Sequence, residues 1–130
     1  MSQSLFAVAL LVSDYDAGLK FYVDTLGFDL IEDTPMGPEK RWVMIAPPGS
    51  TGTRLLLARA ASEQQTQAIG NQTGGRVGFF LTTDQFQKDY DRMKSAGVHF
   101  EEDPRHEPYG WVVVFQDPWG NRWDLLERNS

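Results

Sequence analysis

Two oppositely charged residues occupy positions where strand parity makes charge conspicuous. Arg76 and Asp124 fall in short apolar runs, 76–81 and 121–127, and the period of two in a strand sends each to the face opposite its run's large apolar side chains. In the first run Val77, Phe79 and Leu81 form the packing face, leaving Arg76, Gly78 and Phe80; in the second Trp123 and Leu125 pack, leaving Arg122, Asp124 and Leu126. A charge on a half-buried sheet face costs several kcal/mol unless it is paired or hydrated. An Arg76–Asp124 ion pair or a hydrated polar pocket is therefore expected. His106 and Glu107, inside Arg105-His106-Glu107-Pro108-Tyr109-Gly110, are a second candidate pair, because an imidazole beside a carboxylate exchanges protons near neutral pH. They precede a strand and are expected at the mouth of a cavity, with an exposed polar loop as the alternative. His99 alternates with Val98 and Phe100 and is expected on a solvent face.

The elements that must position these residues form an internal repeat. Asp14, Gly27-Phe28 and Glu32-Asp33 recur seventy positions later as Asp84, Gly97-Val98 and Glu102-Asp103. Between Asp and Gly, Tyr15, Leu19, Tyr22 and Leu26 mark an amphipathic helix capped by Ser13 or Asp14 and stopped by Gly27. Phe86, Tyr90 and Met93 mark its counterpart, with Thr83 or Asp84 as cap and Gly97 as stop. Each helix follows one strand-like run, 5–12 or 76–81. Three more follow it: 28–32, 41–46 and 53–58 in the first half, 98–102, 111–116 and 121–127 in the second. The order predicted is βαβββ twice, with Trp42 and Trp111 at equivalent places and a short helix over 62–69 in the connection.

The totals narrow the function classes. The 130-residue chain carries a net charge of -6 and no Lys/Arg cluster, which argues against nucleic acid and anionic membrane surfaces as partners. With no cysteine, disulfides, thiolate nucleophiles and Cys-ligated zinc are excluded. The run 5–12 lacks a preceding basic segment and is too short to span a bilayer, so a cytoplasmic protein is expected. The Gly-rich stretch 70–75 lacks the Lys and spacing of a phosphate loop and precedes a strand.

Asp14-Tyr15-Asp16, Phe21-Tyr22 and Leu26-Gly27-Phe28 form a helix-centred motif. Phe115-Gln116-Asp117-Pro118-Trp119-Gly120-Asn121-Arg122-Trp123-Asp124-Leu125 forms a hairpin one. With these motifs set in its repeat, the chain resembles the vicinal oxygen chelate superfamily of glyoxalases, bleomycin-resistance proteins and extradiol dioxygenases over nearly its whole length. The resemblance implies one α+β domain, 1–130, whose two tandem βαβββ modules form a half-open, eight-stranded, barrel-like sheet around a concave cavity. Repeat 1 spans about 1–61, the linker 62–74 and repeat 2 about 75–130. A homodimer is implied as well. Enzymes of that superfamily hold a divalent metal with His, Gln or Glu from the first, fourth, fifth and eighth strands, positions that fall here at Ala7, Leu56, Arg76 and Asp124. Only Asp124 among these can coordinate, so no metal and no other cofactor is expected. Arg76 would then stand in place of the cation, balanced by Asp124 and open to an anionic or enolate-like oxygen, or else the two form a structural ion pair. The expected function is that of a glyoxalase/bleomycin-resistance-type protein binding a small organic ligand, anionic or aromatic. The alternatives are a lyase, isomerase or dioxygenase using Arg76, Asp124, Glu107 and His106, metal-free or with displaced metal ligands, and a structural or interaction module.

Overall fold

Apolar alternation places the strands, and one helix covers one face of each sheet. Strand β1 (Ala7–Val12) leads into helix α1 (Tyr15–Leu19), whose N-cap Asp14 accepts the Ala17 N–H at 2.9 Å. Strands β2 (Asp29–Pro35), β3 (Arg41–Ala46) and β4 (Arg54–Arg59) complete a four-stranded sheet ordered β1-β4-β3-β2, with β1 and β4 parallel. A connecting helix α2 (Glu63–Ala68) follows. Strand β5 (Phe79–Thr82), helix α3 (Phe86–Ser95) and strands β6 (His99–Phe100), β7 (Arg105–Glu107), β8 (Gly110–Gln116) and β9 (Arg122–Arg128) make the second sheet, ordered β5-β9-β8-β6 with β7 also on β8. The computed structural model describes residues 1–130 and divides into two compact units, Met1–Ile69 and Gly70–Ser130. No helix is long and apolar enough to cross a membrane.

The α+β class and the twofold βαβββ order are as the sequence implies. The expected eight-stranded sheet is corrected: nine strands form two separate sheets of four and five strands, neither closed on itself. The added strand arises because the run after α3 breaks after Phe100 and resumes at Arg105, both pieces pairing with β8. Pro104 lies in the gap, where a residue without an N–H cannot extend the ladder. Strand β5 is also later than expected. It begins at Phe79, so Arg76 lies in the lead-in, where its backbone carbonyl accepts the Thr73 hydroxyl at 2.8 Å.

The first helix departs from a plain α-helix. After Leu19 it continues as a π-helical segment, Lys20–Thr25, in which the Leu26 N–H reaches the Phe21 carbonyl at 2.8 Å. Gly18 is the reason the helix can lie so close to the sheet, since a Cβ there would come within 3.0 Å of Leu57. The wider π turn then brings both Phe21 and Tyr22 into the core, while Leu19, expected in the apolar stripe, stays only half-buried. In α3 the stripe Phe86, Tyr90 and Met93 is buried as expected. Its N-terminus is satisfied differently: the cap position is Gln85, and the Glu127 carboxylate on β9 accepts the Phe86 N–H at 2.8 Å. Its C-terminus closes at Gly97 (φ 89°), with the Val98 N–H donating to the Met93 carbonyl.

The β8–β9 turn is held by a buried carboxylate. Asp117, 4% exposed, accepts the backbone N–H groups of Trp119 and Asn121 on one oxygen and the Asn121 side-chain amide, at 2.7 Å, on the other. Removing it leaves three donors without an acceptor. Asp117→Ala is expected to lower unfolding free energy by about 2–4 kcal/mol, read as a reduced urea midpoint at unchanged slope. Asp117→Asn should lose less, since it keeps one acceptor.

Candidate functional site

In the second unit, register assigns each side chain to a face. Phe115, Trp123 and Leu125 face α3, where Phe79, Trp123 and Phe115 stack at centroid distances of 4.8 and 5.7 Å. The opposite face, not covered by α3, carries Phe80, Asp124, Leu126, Gln116 and Arg122 together with the buried Val112 and Val114, as cross-strand pairs Phe80–Asp124, Asp124–Val114 and Arg122–Gln116 show. Phe80 is 59% exposed. Arg105, opposite Val112, joins the same face.

The charges on this face do not form the expected pair. No ion pair joins Arg76 to Asp124; Arg76 Nε instead donates to the Val77 carbonyl at 3.1 Å, a local bond set by its place before β5. Arg122 grips Glu101 with two parallel bonds of 2.8 Å, and Gln116 adds a third to the same carboxylate. Arg122 and, next, Gln116 hold the Glu101 carboxyl below its ordinary range against the effect of burial. Arg105 is divided between Glu102 at 2.6 Å and Glu107 at 2.7 Å. Asp124 alone accepts no strong donor. Burial pushes its carboxyl above the ordinary range; Glu102 adds to the rise, while Arg105 and Arg122 oppose it.

His106 and Glu107 are separated by the alternation of β7. Glu107 turns toward Arg105, whereas His106 lies against Trp111 with ring centroids 4.7 Å apart, on the α3 side where Trp111 also meets Phe86. His99 is exposed, as expected. Trp42 and Trp111 are not equivalent: Trp42 pairs with Thr34 on the open face of the first sheet, while Trp111 pairs with Glu127 on the helix face of the second. A one-residue slip between the repeats is enough to exchange faces.

The first unit holds a cleft of about 990 Å³ that motif reasoning does not find. It lies where β3 begins and β4 ends, beneath the β2–β3 hairpin loop and beside the start of α2. Trp42, Tyr15 and Leu56 supply apolar wall; Lys40, Arg59 and Gln65 supply polar edge. One side is braced by Arg41, which bonds Asp33 at 2.7 Å and Asp16 at 2.9 Å and lies over the Tyr15 ring, 5.2 Å from its centroid. That guanidinium holds the Asp33 carboxyl below its usual range. Trp42, opposite Thr34 of β2, and Arg59, opposite Val12 of β1, reach the cleft from different parts of the sheet, which no local pattern announces.

A divalent metal does not fit these residues. Ala7 and Leu56 offer no donor atom, Arg76 is cationic, and no three His, Cys, Asp or Glu side chains are grouped to hold a metal ion.

Two one-helix-covered sheets in βαβββ order, with open faces left for polar or ligand contacts, define a class of fold that comparisons with known proteins identify. A family profile described as Glyoxalase/Bleomycin resistance protein/Dioxygenase superfamily matches residues 4–125. An uncharacterized protein of Shewanella frigidimarina (strain NCIMB 400) is 53% identical, the match covering 100% of this chain and 97% of that protein. YetH of Bacillus subtilis (strain 168), also uncharacterized, is 34% identical, with 98% and 100% covered. Among solved structures, TnmS3, an antibiotic binding protein from Streptomyces sp. CB03234, is 32% identical with a TM-score of 0.80 and 98% of each chain covered. A superfamily member from Sphaerobacter thermophilus DSM 20745 is 30% identical with a TM-score of 0.82, again with 98% of each chain covered. The chain belongs to the Glyoxalase/Bleomycin resistance protein/Dioxygenase superfamily.

Asp124 yields a pH prediction. Because its folded carboxyl is raised, the folded state retains a proton that the unfolded state has released, and wild-type stability falls as pH rises through that range. Asp124→Asn removes this titration. The variant is expected to be more stable than wild type near neutral pH, with the gap closing as pH drops to about 3. Urea midpoints across that range check it; an Asn variant less stable at neutral pH would mean the carboxylate makes a favourable contact.

Proposed function

We propose that this chain is a binding protein that holds a small organic molecule non-covalently in the cleft of its first unit. The observation that carries the reading is the cleft itself: about 990 Å³, with Trp42, Tyr15 and Leu56 on its wall and charged and polar side chains, among them Lys40, Arg59 and Gln65, making up much of the rest. Ligand sites are concavities of this size in which apolar wall is combined with polar groups that orient the guest. The likeness to TnmS3, an antibiotic binding protein, supports the same class of activity. No step of this reading uses a metal or a cofactor. Within it we place the protein in the cytoplasm, as one domain over 1–130 and as a homodimer, the last because β1, β2 and β5 leave sheet edges open to pairing.

A second reading, an enzyme, is favoured by one observation. Asp124 is a half-buried carboxyl on an open sheet face, raised by burial and free of any ion pair, which is the condition of a general acid or base. Of the four candidates Arg76, Asp124, Glu107 and His106, the enzyme reading keeps Asp124 as the reacting group. Glu107, bound to Arg105, would act as a positioning residue. Arg76 and His106 have no part in it.

The two readings separate experimentally. Ring-bearing small molecules should raise the melting temperature of the wild type, and Trp42→Ala should weaken that binding about tenfold while Asp124→Asn leaves it unchanged. Binding lost in Asp124→Asn and retained in Trp42→Ala would move the site to the second unit and favour the enzyme reading.

A further inference from the structure

The charges around the cleft point to the class of its ligand. Four charged residues line it: Glu39, Lys40, Arg41 and Arg59. Arg41 is committed, since Asp16 and Asp33 share its guanidinium. Arg59 is not. Its side chain reaches from the end of β4 to the hairpin loop, where Nη1 lies 3.4 Å from the Glu39 carbonyl oxygen, and no carboxylate pairs with it or with Lys40. Both cations belong to a chain whose net charge is -6. Glu39 opposes them with a single charge, leaving the uncommitted balance positive.

We infer that the cleft selects planar organic molecules bearing an acidic group, whose ring lies against Trp42 and whose anionic oxygens are received by Arg59, with Lys40 adding charge. This rests on the cleft being the ligand site. The reasons are geometric and electrostatic. A guanidinium presents parallel N–H donors in one plane and matches a carboxylate or sulfonate in a forked geometry. It is held at the rim by its bond to the Glu39 carbonyl, so little order is lost when an anion arrives. The aromatic wall fixes the plane of the ring, and the guanidinium fixes which edge of the ligand points outward. Gln65 spends its side-chain oxygen on the Ala61 N–H at 2.8 Å, which leaves its amide N–H groups as further donors on the same rim.

A matched pair of probes tests this: naphthoate, and naphthamide as its neutral isostere, each titrated calorimetrically against wild type, Arg59→Gln, Arg59→Lys and Trp42→Ala. Naphthoate is expected to bind about tenfold more tightly than naphthamide to the wild type. Arg59→Gln should reduce naphthoate to the level of naphthamide and leave naphthamide untouched; Arg59→Lys should recover only part, because the charge returns without the fork. Apo melting temperatures of the variants confirm folding, as Arg59 is exposed. Equal affinity for the two probes, both weakened by Trp42→Ala, would overturn the acidic-ligand inference and leave the cleft as a neutral aromatic site. Binding of neither probe would overturn both.

Discussion

A sheet covered by a helix on one side has two kinds of position, and everything else in this protein follows from keeping them apart. Residues on the helix side must be large and apolar, because α1 or α3 seals them from water: Leu10, Val12, Val43, Ile45 and Leu57 in one unit, Phe115, Trp123 and Leu125 in the other. Their neighbours on the open face are released from that demand. Where the helix covers the strands, polar side chains fall on alternate residues, while Arg41 and Arg59 take helix-side positions at the strand ends, and a shift of one residue converts a candidate site residue into a core residue. His106 and Glu107 show the consequence within three residues of strand: one joins an aromatic cluster with Trp111, the other an ion pair with Arg105.

The same division organises the arginines. Arg122 with Glu101 and Arg105 with Glu102 and Glu107 neutralise the second sheet's open face. Arg41 with Asp33 and Asp16 locks the start of β3 to β2 and α1. Pairs of this kind, partly exposed, contribute modestly to stability. Their larger effect is to commit the guanidinium, so that it no longer attracts a ligand. Among the residues lining the first unit's cleft, Arg59 and Lys40 stay outside these pairs, and on the second sheet's face Asp124 does.

Much of the fold is legible in the residues because it depends on local periodicity. The stripe Phe86, Tyr90 and Met93, the stops at Gly27 and Gly97, and the alternation around Trp123 and Leu125 each specify an element without reference to distant chain. The site is less legible because it depends on register between strands. Arg76 falls in an apolar run and has the right parity, yet the ladder begins at Phe79, so Asp124 gains no ion-pair partner, and Arg122, two residues from it, pairs with Glu101 instead. Glu101, which sets that outcome, lies beyond the last residue of β6 and bears no pattern of its own. The π-helical turn is hidden for a similar reason: Tyr15, Leu19, Tyr22 and Leu26 satisfy α-helical spacing, and the π turn that buries Phe21 as well leaves no mark in that pattern. The cleft in the first unit is harder still, since Trp42, Arg59 and Gln65 come to it from β3, β4 and a connecting helix.

Binding and proton transfer make different demands, and the groups suited to each lie in different units. The first unit has a cleft bordered by Trp42 and a guanidinium, Arg59, without a carboxylate partner, while Asp16 and Asp33 are spent on Arg41, and both histidines lie in the second unit. The second unit has a raised carboxyl at Asp124, but it sits beside Phe80 and Leu126 on a face where the flanking arginines are already neutralised. A reacting group needs a substrate held within hydrogen-bond reach and donors placed where charge develops. Asp124 has the raised proton affinity without donors beside it, and the cleft has donors without a raised carboxyl, which is why the binding proposal rests on one unit and the enzyme reading on the other.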